Sequence, residues 1–162
     1  MLLWFVILAP VLVAEIFQSP MADYRIVALG AALPLVEVLI FGGPRYLHTM
    51  IVAMGLMTVL MLATSNHRLV RRRLLGIPIG LLLHLVLDFT WARQDLLWWP
   101  AFGFDFGTGG SALNRPLELG VLLDLVAIGV GYWAYRRYEL DLAENRNLLL
   151  RSGRLNRAAM PT

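Results

Sequence analysis

Residues 74–90 read LLGIPIGLLLHLVLDFT, an apolar run that is long enough to enter a lipid bilayer. His84 and Asp88 interrupt this run, and their spacing of four places both side chains on one face of a helix. Ionisable side chains in hydrocarbon cost roughly 2.5 to 3.5 kcal/mol each, so they persist where they line a cavity, meet a partner or hold an ion. Imidazole nitrogen and carboxylate oxygen both bind zinc-like metals. The pair therefore predicts part of a metal site inside a membrane helix.

The composition of the chain predicts an integral membrane protein. Hydrophobic residues make up 59% of the 162 residues and charged residues 15%, against about 25% charged residues in soluble domains. The length and the absence of internal repeats predict a single unit. We expect residues 1–137 to form a transmembrane helical domain and residues 138–162 a cytoplasmic tail, in which residues 140–150 could form a short amphipathic helix. The chain has no cysteine, so histidine and the acidic residues are its candidate metal ligands.

Five apolar segments predict the architecture. The chain is expected to be an all-α integral membrane protein, a compact bundle of about five transmembrane helices. Several segments are shorter than the roughly 20 residues of an untilted spanning helix, so their ends are expected to extend into the flanks. The segments are residues 2–17, 26–41, 50–64, 74–90 and 117–135.

The distribution of arginine predicts the orientation of this bundle, because cytoplasmic loops carry an excess of basic residues. With the C-terminus inside, eleven arginines fall in the inner segments and three, Arg45, Arg93 and Arg115, in the outer ones. All the basic residues are arginine, which favours a GC-rich bacterial genome. We therefore expect a multi-pass protein of the bacterial cytoplasmic (inner) membrane, with its C-terminus in the cytoplasm.

This topology brings scattered polar residues to comparable depths. At about 1.5 Å per residue, Glu37, His84 and Asp88 lie roughly 15 to 21 Å from the inner ends of their helices. His48 lies in the first outer loop or at the start of the third span. These four residues could therefore converge in a pocket that opens to the outer leaflet. Glu118 and Asp124 enter the fifth span from the same side.

Short motifs along residues 26–101 carry a family resemblance. They read LPLVE at 33–37, LHT at 47–49, HLVLD at 84–88 and WWP at 98–100. In this order they resemble the YdjM-type family of predicted membrane-bound metal-dependent hydrolases.

The resemblance implies a metal-dependent hydrolase without naming its substrate. It places site residues at Glu37 and His48 and at the pair His84 and Asp88. The chain departs from the family pattern at Leu35, where the family has an acid, and at Pro44, where it has a histidine.

These residues support a specific chemical hypothesis. Glu37, His48, His84 and Asp88 would hold a divalent metal ion, with zinc or manganese expected, and would leave a position for water. The ion would lower the pKa of that water and polarise a phosphoryl or carbonyl oxygen. Asp124 or Glu118 could act as general base or as a hydrogen-bond partner of a metal ligand. Arg45, Arg93 and Arg115 could bind an anionic headgroup, because guanidinium pairs with phosphate in a bidentate manner. The predicted substrate is a lipid-linked phosphoester or ester at the outer leaflet.

Two other functions stay open at this point. His84 and Asp88 could be a hydrogen-bonded pair that holds helices together. The chain would then be a non-catalytic accessory or scaffold subunit, or a lipid-binding protein. Its partners would be membrane lipid, another membrane protein or a second copy of itself. Nucleic acid is not an expected partner, because the basic residues are explained by membrane orientation.

Overall fold

The computed structural model describes residues 1–19, 21–104, 106 and 116–156, and these residues form helices and no strand. Short 3-10 helices at Tyr46–His48 and Thr90–Ala92 connect some of the longer elements. The α-helices of the described residues are α1 (Leu2–Phe17), α2 (Tyr24–Phe41), α3 (Met50–Ala63), α4 (Arg68–Leu74), α5 (Gly76–Leu87), α6 (Gln94–Leu97), α7 (Leu117–Arg137) and α8 (Ala143–Ser152).

Each of the five predicted apolar segments is helical, as α1, α2, α3, α5 and α7. Within the described part of the chain, α2 and α7 are long and apolar enough to span a membrane, and α1 and α3 are shorter apolar helices. α5 has 12 residues and is about 18 Å long. It is shorter than the predicted segment 74–90 because Leu75 separates it from α4 and because the chain turns at Asp88.

The directions of the long helices follow from their contacts. The amino group of Met1 binds Asp124 near the start of α7, and Tyr138 at the end of α7 donates to Glu15 near the end of α1. α1 and α7 therefore run parallel. Gly76 at the start of α5 lies against Ile26 at the start of α2, and His84 further along α5 contacts Ala31 further along α2. These two helices therefore also run in the same direction.

α2 and α5 cross with their backbones in contact, because glycines stand at the crossing. A Cβ atom at Gly30 would lie 2.2 Å from the carbonyl oxygen of Ile77, and a Cβ at Gly80 would lie 2.1 Å from that of Val27. Small residues of this kind allow two helix backbones to approach closely. This crossing fixes the position of the part of α5 that carries His84.

Helix α1 covers this crossing with a buried apolar stripe. Phe5, Ala9 and Val13 are at most 3% exposed and pack with Val27 and Ala31 of α2. Their spacing of four residues is that of one helix face. α1 therefore forms one wall of the interior that contains His84.

Candidate metal centre

His84 is held by the backbone of α2. Its Nδ1 lies 2.7 Å from the carbonyl oxygen of Ala31, and the side chain is fully buried. A carbonyl oxygen only accepts hydrogen bonds, so Nδ1 is the donor, and the lone pair of the neutral ring is on Nε2. The contact is short because Gly30 and Gly80 let the two backbones approach. The helix crossing therefore sets both the position and the tautomer of this imidazole.

His48 is held in the same way by the carboxylate of Glu37. It ends the 3-10 turn Tyr46–His48, is fully buried, and its Nδ1 lies 3.0 Å from Glu37 Oε2. The carboxylate also accepts from the backbone N–H groups of Arg45 at 3.1 Å and Leu47 at 3.0 Å. Glu37 thus folds the connection between α2 and α3 back over the end of α2. It also makes Nδ1 of His48 the donor, which puts the lone pair of the neutral ring on Nε2.

Asp88 lies at the turn where α5 ends. Its Oδ2 accepts a hydrogen bond from Thr90 Oγ1 at 3.1 Å. The same oxygen forms an ion pair with Arg93 Nη2 at 2.8 Å. Phe89, between Asp88 and Thr90, has a left-handed backbone with φ of 55°. This turn brings the residues that follow α5 back over the carboxylate. Asp88 is 1% exposed and Thr90 is fully buried.

His48, His84 and Asp88 form a group that could hold a metal ion. One ligand atom from each lies within 4.8 Å of the others, and all three residues are buried. Ligands at the usual distances from a tetrahedral zinc ion are about 3.4 Å apart, so the separations need to shorten by at most about 1.4 Å. Among the described residues, Nε2 of His48 is a buried nitrogen with no hydrogen-bond partner. Buried polar atoms without a hydrogen-bond partner are rare in folded proteins. A bound metal ion would give this nitrogen a partner.

The hydrogen bonds behind the two imidazoles match those of metal-binding histidines. Such histidines usually donate their second ring N–H to a carboxylate or a backbone carbonyl, which orients the ring and raises its basicity. Here the Glu37 carboxylate accepts the hydrogen bond of His48, and the Ala31 carbonyl accepts that of His84. The two rings meet edge to face, with centroids 5.3 Å apart. The Phe5 ring of α1 stacks on the face of the His84 ring, with centroids 4.0 Å apart, and covers that face of the imidazole.

The structure separates the predicted ligands into two roles. His48, His84 and Asp88 come together, whereas Glu37, predicted as a fourth ligand, lies behind His48 as its hydrogen-bond acceptor.

The predicted general bases lie outside this group. Asp124 accepts from the amino group of Met1 at 2.6 Å and from the backbone N–H of Trp4 at 3.0 Å. It therefore fastens the start of α1 to α7. Glu118 is exposed in the first turn of α7.

The three arginines predicted to bind a headgroup have different surroundings. Arg93 pairs with Asp88 at the edge of the group. Arg45 is exposed, with its guanidinium carbon 5.2 Å from the centre of the Phe41 ring. Arg115 lies outside the described residues.

Sequence reasoning assigned no role to Ala31 or Phe5. Ala31 acts through its backbone oxygen, which any residue supplies, so its side chain carries no signal. Phe5 looks like any other apolar residue of its helix. The pair of glycines at 30 and 80 was the detectable signal, because glycine at two helix positions indicates close helix approach.

Comparison of the chain with protein-family models, with curated proteins and with solved structures gives no match. The resemblance to the YdjM-type hydrolases therefore stays a prediction.

Proposed function

We propose that this chain is a multi-pass protein of the bacterial inner membrane, with about five membrane helices and a cytoplasmic C-terminus. Two helices long and apolar enough to span a membrane support this proposal. The exposed apolar side chains of α7 support it further, because large exposed apolar surfaces indicate contact with a membrane or a partner. These side chains include Leu117, Val121, Leu122, Leu125, Val126, Ile128, Tyr132 and Trp133.

We further propose that the chain is a metal-dependent hydrolase of a lipid-linked phosphoester or ester. The observation that carries this proposal is the buried group of His48, His84 and Asp88, whose ligand atoms lie within 4.8 Å of one another. Both histidines have Nδ1 bound to an oxygen acceptor. Nε2 is then the ligand nitrogen of each neutral ring. Two imidazoles and one carboxylate form a ligand set that suits zinc and related ions.

The protein's own residues would orient and neutralise the reacting groups. Glu37 and the Ala31 carbonyl would hold the imidazoles in one tautomer and one orientation. Arg93 would exchange its ion pair with Asp88 for the anionic oxygen of the ester, because guanidinium binds phosphate in a bidentate manner. A bound divalent ion would supply Lewis-acid activation of a water molecule and of the phosphoryl or carbonyl group. Asp124 and Glu118 take no part in this proposal, because Asp124 binds the amino group of Met1 and Glu118 is exposed in the first turn of α7.

The first experiment measures metal content. The full chain, purified in a mild detergent, is compared by elemental mass spectrometry with the double variant His84→Ala, Asp88→Ala and with His67→Ala. His67 is the remaining histidine of the chain and is exposed, so it controls for adventitious binding. We expect about one zinc, manganese or iron ion per chain in the wild type and in His67→Ala, and loss of the ion in the double variant. A metal-free wild type that also binds none after incubation with these ions would overturn the proposal.

A second experiment separates an enzyme from a structural metal protein. Wild type and Asp88→Asn are incubated with vesicles of phosphatidylethanolamine and phosphatidylglycerol, and released phosphate compounds and fatty acids are measured. We expect release by the wild type and its loss in Asp88→Asn, with helix content unchanged by circular dichroism. Bound metal without hydrolysis of either bond type would favour the alternative, an accessory or scaffold subunit stabilised by a metal.

A further inference from the structure

A basic pocket lies at the opposite end of α2 from the candidate metal centre. Asp23, which precedes α2, and Glu37 are separated by 14 residues, or about 21 Å along the helix axis. The pocket has a volume of about 410 Å³. Its polar lining consists of Asp23, Arg72, Arg73, Arg151, Ser152 and Arg154.

The positive charge of this pocket exceeds what its one acid can balance. Asp23 already accepts from Arg25 at 3.1 Å and from Arg73 at 3.0 Å through Oδ2. Burial alone would raise the pKa of Asp23, but hydrogen bonds and charge from these two arginines hold the pKa below its usual value. Asp23 is therefore ionised, and its charge is already paired with Arg25 and Arg73.

The remaining arginines of the pocket have no acid of the described residues within ion-pair distance. In the described ranges of the chain, the guanidinium groups of Arg72, Arg151 and Arg154 form no ion pair. Three such groups from two separate segments of the chain converge on one concave surface. This arrangement repels cations and is complementary to an anion.

Hydrogen bonds fasten the end of α8 and Gly153 after it to the start of α2, so the pocket is built into the fold. Tyr24 N donates to the Gly153 carbonyl at 2.8 Å, and Arg25 Nη1 donates to the Leu150 carbonyl at 2.7 Å. Gly153 has a φ of 70°, and a Cβ atom there would overlap Asp23 Oδ1. Arg73 fastens α4 to the same carboxylate. The helices that carry Arg72 and Arg151 are therefore both fastened beside Asp23, and all three residues line the pocket.

We propose that this pocket binds the phosphate group of an anionic ligand. Guanidinium groups match phosphate oxygens in charge and in bidentate geometry. Arg72, Arg151 and Arg154 would share the phosphate, and Asp23 would keep Arg73 in place beside them. Two sources present this chemistry, an anionic phospholipid headgroup and free phosphate. The proposal is independent of the proposed hydrolase, because the two sites share no residue.

The experiment uses the full chain in a neutral detergent and measures binding by microscale thermophoresis. The probes are short-chain phosphatidylglycerol, inorganic phosphate and, as the zwitterionic reference, short-chain phosphatidylcholine. The test variant is Arg72→Gln, Arg151→Gln, Arg154→Gln. The control variant Arg136→Gln, Arg137→Gln, Arg146→Gln removes the same charge from exposed positions outside the pocket.

We expect saturable binding of the wild type to phosphatidylglycerol, to phosphate or to both, and weaker binding of phosphatidylcholine. Affinity should fall by about tenfold or more in the test variant, since hydrogen bonds between charged groups are among the stronger ones, and should change little in the control. Binding of phosphatidylglycerol alone would identify a headgroup site, and binding of both would identify a general phosphate site.

Two results would overturn the proposal: no saturable binding of either anion, or an equal loss in both variants. If the test variant fails to fold, thermal unfolding of the wild type decides instead. Millimolar phosphate should then raise the unfolding temperature in a saturable manner, and an effect that only rises steadily with concentration, as for an excluded salt, would overturn the proposal.

Discussion

Replacement of Gly80 by alanine should open the contact between α2 and α5 and weaken the metal centre with it. The new Cβ would lie 2.1 Å from the Val27 carbonyl oxygen and 2.7 Å from Ala31 N. Ordinary contact begins at 3.4 Å, so the two backbones must separate by about 1.3 Å at this point. Backbone atoms cannot rotate away as a flexible side chain could, so the helices themselves have to move.

The expected cost has two parts. Overpacking of this kind costs about 1 to 3 kcal/mol. A separation of about 1.3 Å along the bond would stretch the 2.7 Å contact between His84 Nδ1 and Ala31 O to about 4 Å, beyond hydrogen-bond range. A buried donor without a partner costs about 1 to 3 kcal/mol more. Since the helices can relax partly, we expect a total loss of about 2 to 4 kcal/mol in the free energy of unfolding.

The assay combines unfolding in mixed micelles with metal content after dialysis. Gly55→Ala and Gly129→Ala are matched controls, because a Cβ atom at either helical position meets nothing within 4 Å. These controls should be stabilised by up to about 1 kcal/mol, since alanine is the better helix former. Gly80→Ala should be destabilised and should lose metal. Stability and metal content equal to those of Gly129→Ala would refute the argument that this crossing sets the site.

Three further predictions concern single carboxylates. Glu37→Gln should keep the fold and bind metal about 10- to 100-fold more weakly, as measured by competition with a chelator, because it removes the charged acceptor behind His48. Asp124→Asn should lower stability, since Asp124 balances the amino group of Met1, and leave metal content unchanged; loss of metal would instead return Asp124 to the site. The pKa of Asp23 in the folded chain is below its usual 3.8, so its stabilising effect is full above that pH and is lost as the pH falls through the folded value. Acid unfolding of Asp23→Asn should accordingly depend less on pH in this range, and an unchanged profile would contradict the assignment.

The helices were predictable because long apolar runs bounded by polar residues carry their own signal. Segment 2–17 matches α1 at both ends, and segment 50–64 extends one residue past α3. The end of α5 was less predictable. Asp88 starts a turn with Phe89 in a left-handed conformation, which apolar residues rarely adopt and which the sequence does not indicate.

Three of the four predicted ligands, His48, His84 and Asp88, come together in the candidate site, whereas the hydrogen bonds behind them were not predictable. His84 and Asp88 share a helix face by spacing alone, and matching depth in the bundle brought His48 toward them. The role of Glu37 could not be assigned from the sequence. A carboxylate that binds a metal ion and one that accepts a hydrogen bond from a metal-binding histidine can occupy nearly the same position in the chain. Which of these two roles Glu37 has depends on where the chain turns back after Gly42. At this turn the N–H groups of Arg45 and Leu47 donate to the Glu37 carboxylate.

Helix α2 supports the two histidines at two points, the Ala31 carbonyl and the Glu37 carboxylate, with five residues between them. One residue inserted between these points would turn Glu37 by about 100° and advance it by about 1.5 Å relative to Ala31. His84 would keep its acceptor and His48 would lose its own. The segment 31–37 should therefore accept changes of side chain during evolution far more readily than changes of length, and an alignment gap there would mark a chain that has lost the site.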